Sequence, residues 1–107
     1  MKKVKKYNEF IDNVTLITFE KLASIVEKQC SVVSSNDTII NHPQYQEIIK
    51  MGDEIVPLLI KRLDKSYMWL DALSIITNQH PVPESHKGKR NLMKEDWKKW
   101  GIDNGVK

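Results

Sequence analysis

The stretch that decides the fold is PQYQEIIKMGDEIVPLLIKRLDKSYMWLDALSIITN, residues 43–78. Its apolar residues recur at steps of three and four, which places them on one face of an α-helix. Pro43 suits a first helical position, where its missing N–H group costs no hydrogen bond. Gly52 is typical of the position just after a helix, while Asp53 and Ser66 are suited to cap the two helices that follow. The stretch therefore predicts three short helices joined by tight turns.

Further helices are predicted on both sides of this stretch. Upstream, the pattern indicates helical segments over residues 3–13 and 15–31, followed by a turn over 34–37. Downstream, the HPVP segment at 80–83 forces an extended connection, because a residue that precedes proline avoids the helical region. A last helix is predicted over about 90–100, with Gly101 as its end.

No stretch shows the two-residue alternation of a half-buried strand, and no linker divides the 107 residues. We predict an all-α protein of about five helices, with short antiparallel hairpins stacked on one another. The chain is one domain, residues 1–107, with an N-terminal helical segment at 1–41 and a helical core at 42–101.

The core resembles a family of small bacterial HEAT-like proteins made of helical hairpins, to which no reaction is assigned. The resemblance covers a little over half the chain and rests on the order and spacing of five segments: HPQYQEIIKMG at 42–52, PLLIKRL at 57–63, WLDALSIIT at 69–77, PVP at 81–83 and WKKWG at 97–101. It implies a HEAT-like fold, and it implies no catalytic residue. Such folds mostly bind proteins or nucleic acids, which is an argument from fold alone.

The composition excludes several classes of protein. With a single cysteine, Cys30, the chain cannot form a disulfide within itself, so a stapled secreted scaffold is excluded. No apolar run approaches the roughly 20 residues of a membrane span, and polar residues interrupt the segment after the basic N-terminus. We predict a cytoplasmic protein that does not bind membranes.

Neither an enzyme nor a metal or cofactor site is predicted. The histidines at 42, 80 and 86 and Cys30 show no metal-binding spacing, and no Gly-rich phosphate loop or nucleophile motif occurs. Cys30 is read as an inert, partly buried thiol, and Lys61, Arg62 and Lys65 as a solvated face.

Four aromatic residues are candidates for partner binding: Tyr45, Trp69, Trp97 and Trp100. Exposed aromatic rings are frequent hot spots in interfaces, but the same residues at helical spacing are also typical of a core, and both interpretations remain open.

Six basic residues near the C-terminus are candidates for anion binding: Lys87, Lys89, Arg90, Lys94, Lys98 and Lys99. The net charge is +3, and both ends of the chain are basic while the middle is acidic. Aromatic rings can stack on nucleic-acid bases while neighbouring cations bind the phosphates. The alternative is that the lysines only keep the surface soluble.

Two functional hypotheses follow. The first is a non-enzymatic interaction module that binds an unidentified protein partner through a groove or helical face between helices 43–78 and the C-terminal helix. Its small size suits an adaptor, an antitoxin or immunity-type protein, or an inhibitor encoded by a mobile element. The alternative is nucleic-acid binding through the basic N- and C-terminal faces, which predicts that the basic residues share one face.

Overall fold

Six α-helices form the part of the chain that the computed structural model describes, residues 11–30 and 35–106. They are α1 (Asn13–Gln29), α2 (Asn36–Ile40), α3 (Pro43–Met51), α4 (Val56–Arg62), α5 (Leu70–Thr77) and α6 (Arg90–Asp103). Three 3-10 turns lie between them, at Gly52–Ile55, Tyr67–Trp69 and Glu84–His86. These ranges contain no strand, and the predicted all-α fold of about five helices is confirmed. The helix predicted at 3–13 falls almost entirely outside the described residues.

Local capping signals explain where several helices begin. Asp12 accepts a hydrogen bond from the Thr15 N–H group at 2.8 Å and starts α1. His42 accepts one from the Gln44 N–H group at 3.1 Å and starts α3, with Pro43 in the first turn as predicted. Gly52 follows α3 with a φ of 75°, a conformation that favours glycine.

Three predicted helix boundaries are wrong. The segment 34–37 is not simply a turn, because Ser35 caps the short helix α2 through the Thr38 N–H group. Asp53 does not cap α4, which continues directly from a 3-10 turn. Gly101 does not end α6, which runs on to Asp103.

Gly101 lies inside α6 because the chain end packs against it. A Cβ atom at this position would lie 2.9 Å from Ile60 Cδ1 and 3.3 Å from Val106 Cβ. The Val106 N–H group also donates to the Gly101 carbonyl oxygen at 2.7 Å. Glycine therefore allows α4, α6 and the chain end to approach closely.

One buried cluster joins the helices, with side chains from Phe19 in α1 to Val106. Helix α1 packs on α3, α3 packs on α5, and α4 lies against both α5 and α6. Helix α5 therefore lies among the other helices, as its apolar composition predicts. The stacking of these helices as in HEAT-like proteins stays a prediction.

A polar network ties α1 to this core, and Arg62 is its centre. Arg62 is only 7% exposed, so its prediction as part of a solvated face is wrong. Its guanidinium donates to both carboxylate oxygens of Glu27 at 2.8 Å and also bonds Glu20. The Trp69 indole N–H group donates to Glu27 as well, at 2.8 Å. Two helices and the turn before α5 are thus joined by charge-assisted hydrogen bonds.

The hydroxyl group of Tyr45 supports the start of α5 from a neighbouring helix. It donates to the Met68 carbonyl oxygen at 2.7 Å and accepts from the Ala72 N–H group at 3.0 Å. Ala72 lies in the first turn of α5, where backbone N–H groups have no partner within the helix. A side chain of α3 therefore takes the role of a cap for α5, and burial raises the pKa of Tyr45 well above its usual range.

Candidate functional site

A pocket lies between α5 and α6, beneath the extended segment that connects them. Its volume is about 200 Å³. Five apolar residues form most of its wall, and four polar residues complete it. The apolar residues are Leu70, Pro81, Val82, Met93 and Trp97, and the polar residues are Asp71, Ser74, His80 and Lys87.

The connecting segment is fixed to α6 on one side of the pocket. His86 Nδ1 lies 2.7 Å from Asp96 Oδ2, and the Lys87 N–H group closes a 3-10 turn onto Glu84. The prolines at 81 and 83 restrict the backbone of the same segment further. The wall formed by Pro81 and Val82 is therefore held in place before any ligand arrives.

Trp97 is one of the residues that line the pocket, and it is itself fixed by packing. It is 1% exposed and meets Trp100 edge to face, with ring centroids 5.2 Å apart and planes at 68°. This geometry is a favourable one for two aromatic rings. A ligand would thus contact a preformed apolar surface.

Asp71 is the unusual polar group of the pocket. It is half-buried in the first turn of α5, and among the described residues no donor forms a hydrogen bond or ion pair with its carboxylate. Desolvation by burial raises the pKa of Asp71 above its ordinary value. The nearby Tyr45 hydroxyl does not satisfy it, because its proton is directed to the Met68 carbonyl oxygen.

Three of the four aromatic candidates for partner binding belong to the core. Tyr45 and Trp69 are fully buried and stack with ring centroids 5.0 Å apart, and Trp97 is 1% exposed. These three side chains therefore pack in the core, as the second interpretation predicts, and do not lie on an open docking face. A partner can contact Trp97 only from inside the pocket. Trp100 is partly exposed.

The six basic candidates do not form one free face. Lys94 and Lys98 both bind Asp64, with Nζ to Oδ1 distances of 3.4 and 2.8 Å, and these bonds lower the pKa of that carboxyl. Lys87 lies 3.5 Å from Glu84. Lys99 points about 100° away from Lys98 around α6. Lys89 and Arg90 are exposed at the start of α6.

Exposed apolar side chains lie on three helices. Val14, Ile17 and Ile25 are on α1, Ile75 is on α5, and Leu92 and Ile102 are on α6. Of these three helices, α5 and α6 also line the pocket. The same two helices therefore carry both the pocket and exposed apolar side chains.

Asp71, Ser74 and His80 all line the pocket, and no hydrogen bond connects any two of them. Within residues 11–30 and 35–106, no three His, Cys, Asp or Glu side chains lie close enough to hold a metal ion. Cys30 is buried at the end of α1.

Acid should weaken the fold through Glu27. Burial by itself would raise its pKa, but the hydrogen bonds from Arg62 and Trp69 and the Arg62 charge outweigh burial and hold the pKa below its ordinary value. A carboxyl with a lowered pKa stabilises the fold fully above its unfolded pKa and loses this effect as pH falls through the folded pKa. We expect the free energy of unfolding, measured by urea denaturation, to decrease steadily below about pH 4.5.

The control for this effect is Arg62→Met. Without the guanidinium, Glu27 loses the main cause of its lowered pKa, so the acid-induced loss should be smaller in the variant than in the wild type. Equal pH slopes in the two proteins would show that Glu27 is not the group responsible.

Two further observations concern the chain as a whole. None of the helices in the described ranges is long and apolar enough to cross a membrane. Comparisons with models of protein families, with curated proteins and with solved structures find no match. The function must therefore be argued from the pocket and its surroundings.

Proposed function

We propose that the protein is a non-enzymatic interaction module, which binds a protein partner by receiving one of its side chains in the α5–α6 pocket. The observation that carries this proposal is the pocket itself. It lies between residues of the 43–78 stretch and the C-terminal helix, where the sequence predicts a groove or face for binding.

The size of the pocket supports one side chain as its occupant. Pockets for drug-sized ligands and cofactors measure about 300–1,000 Å³, whereas a dry cavity of about 150 Å³ holds one benzene molecule. The volume here, about 200 Å³, is closer to the second case. Deep pockets that take a single anchor side chain are typical energetic centres of protein interfaces.

The surroundings support a macromolecule as the source of that side chain. Ile75 on α5 is 48% exposed and Leu92 on α6 is 39% exposed, so the two helices that line the pocket also carry apolar surface. A partner segment that inserts one residue would cover part of this surface too, which increases the apolar area removed from water. An adaptor, an antitoxin or immunity-type protein, or an inhibitor would all use such a site.

Nucleic-acid binding receives less support. Two of the six basic residues are bound to Asp64, and Glu95 precedes Lys99 by one turn on the same side of α6. To bind a nucleic acid, several free cations must together displace the counterions of its phosphates.

Filling the pocket should abolish partner binding. We expect Ser74→Phe, which adds a ring inside the pocket, to reduce the recovery of a stoichiometric partner by at least about tenfold, because loss of an anchor contact costs on the order of 2 kcal/mol. The measurement is an affinity pull-down from the native host with quantitative mass spectrometry, run with nuclease and at two salt concentrations.

Ile17→Phe is the matched control. It adds the same ring at an exposed position of α1, a helix that does not line the pocket. Retained binding in this control together with loss in Ser74→Phe supports the pocket. If both variants recover the partner as well as the wild type does, the partner binds elsewhere. Recovery of nucleic acid alone, lost at higher salt, would favour the alternative function.

A further inference from the structure

We propose that the side chain received by the α5–α6 pocket is an arginine, whose guanidinium binds Asp71 while its aliphatic stem contacts the apolar walls. This inference rests on the proposed function and names the chemistry of the partner residue.

The first step concerns Asp71, which lacks a counter-ion. Its carboxylate is half-buried in a mostly apolar pocket and receives no hydrogen bond from the described residues. A desolvated carboxylate that has no donor is unfavourable, and a ligand that supplies one removes this cost. The raised pKa of Asp71 reports the same desolvation. A cationic donor gains more here than a neutral one, because charge-assisted hydrogen bonds are stronger.

The second step concerns Lys87, the one basic residue among the pocket walls with a permanent charge. Its ammonium group lies 3.5 Å from Glu84, a residue of the connecting segment. The Lys87 charge is therefore already shared with a carboxylate outside the pocket, and Asp71 retains an unbalanced negative charge within it. A cationic ligand complements this charge, and an anionic ligand would oppose it.

The third step concerns the shape of the ligand. Ser74 follows Asp71 by three residues on α5, so the two side chains are neighbours on one face of the helix. A guanidinium carries five donors in a planar fork and is weakly hydrated, so it can bond both acceptors at low desolvation cost. The methylene groups of arginine match Leu70, Met93 and Trp97 in the walls. Arginine therefore fits the pocket better than lysine, whose compact ammonium is strongly hydrated.

The experiment uses three probes of matched alkyl length on the full chain: n-butylguanidinium, n-butylurea as its neutral analogue, and pentanoate as an anion. Binding is followed by the amide chemical shifts of the pocket residues in ¹H–¹⁵N NMR spectra. We expect n-butylguanidinium to bind about tenfold more tightly than n-butylurea, and pentanoate to bind most weakly.

Two variants control this comparison. Asp71→Asn should reduce n-butylguanidinium binding to the level of n-butylurea, and it should fold normally because Asp71 makes no internal hydrogen bond. Lys87→Ala should leave n-butylguanidinium binding within about twofold of the wild type, because the exposed Lys87 charge is already shared with Glu84. A gain of about tenfold or more would show that Lys87 offsets the Asp71 charge and would contradict the second step.

The outcomes separate this inference from the proposed function. Binding of n-butylurea or pentanoate as tight as that of n-butylguanidinium, with shifts at the pocket residues, overturns the arginine assignment and leaves the pocket as an anchor site. A lack of shifts at the pocket residues with all three probes overturns both. Discrimination that survives Asp71→Asn would assign the cation to another group and also overturn the inference.

Discussion

Replacing Arg62 with methionine should lower the free energy of unfolding by about 3 kcal/mol, one of the two largest effects that we expect in this chain. Methionine keeps most of the apolar stem but removes the hydrogen bonds to Glu27 and Glu20. Glu27, whose side chain is 20% exposed, then keeps its charge with the Trp69 indole as its remaining strong donor. Breaking a buried ion pair from one side is costly because the other charge stays desolvated.

Lys61→Met is the matched control for this substitution. It removes a cation from the adjacent residue of the same helix, but that side chain is exposed. We expect a change within about 0.5 kcal/mol in urea denaturation at pH 7. A similarly small change for Arg62→Met would contradict the structural role of the Arg62 network, and a loss that persists unchanged at pH 3 would show that it does not depend on the Glu27 charge.

Replacing Trp69 with alanine should lower the free energy of unfolding by about 4 kcal/mol. The side chain is fully buried, stacks on Tyr45 and donates to Glu27, so alanine leaves a cavity and removes a hydrogen bond at once. A domain of this size is typically stable by only about 5–15 kcal/mol, so the variant should unfold at a much lower temperature. Calorimetry or circular dichroism measures the shift.

Trp69→Phe separates the two causes. Phenylalanine keeps a ring against Tyr45 but lacks the indole N–H group, so we expect an intermediate loss of about 1–2 kcal/mol. If phenylalanine were as harmful as alanine, the hydrogen bond to Glu27 would dominate. If Trp69→Ala lowered the free energy of unfolding as little as Trp69→Phe does, the surrounding core would have to collapse around the smaller side chain. This result would contradict the close packing of the core.

Local sequence signals predict the parts of this fold that depend on local structure. Apolar spacing places α3, α4 and α5, while Pro43 and Gly52 mark the two ends of α3. These features follow from backbone geometry and from contacts within one or two turns, which a short window of sequence contains.

The errors at Arg62 and Gly101 have a common physical cause, since both depend on contacts between distant parts of the chain. Arg62 meets carboxylates 35 and 42 residues away, and no nearby residue distinguishes it from a solvated cation at a helix end. Gly101 resembles a helix stop, but Val106 and Ile60 pack against it and α6 continues. Tyr45 caps α5 across 27 residues, so its role could not be predicted locally.

The residues of the candidate site are not those that the sequence predicts. The sequence predicts a groove or face between the 43–78 stretch and the last helix, but its candidates for partner binding are aromatic and do not include Asp71 and Ser74. The pocket collects side chains from α5, the connecting segment and α6, and no motif links them. An acid in the first turn of an otherwise apolar helix is the one sequence signal that could have indicated Asp71.

The position of Trp97 gives the protein an intrinsic optical reporter. The chain has three tryptophans, and among them Trp97 lines the pocket while Trp69 is buried against Tyr45. Indole emission responds to the polarity and to the charges around the ring, so an occupant of the pocket should change the Trp97 fluorescence and leave that of Trp69 nearly constant. Ligand entry can thus be followed without a label, at concentrations far below those that NMR requires.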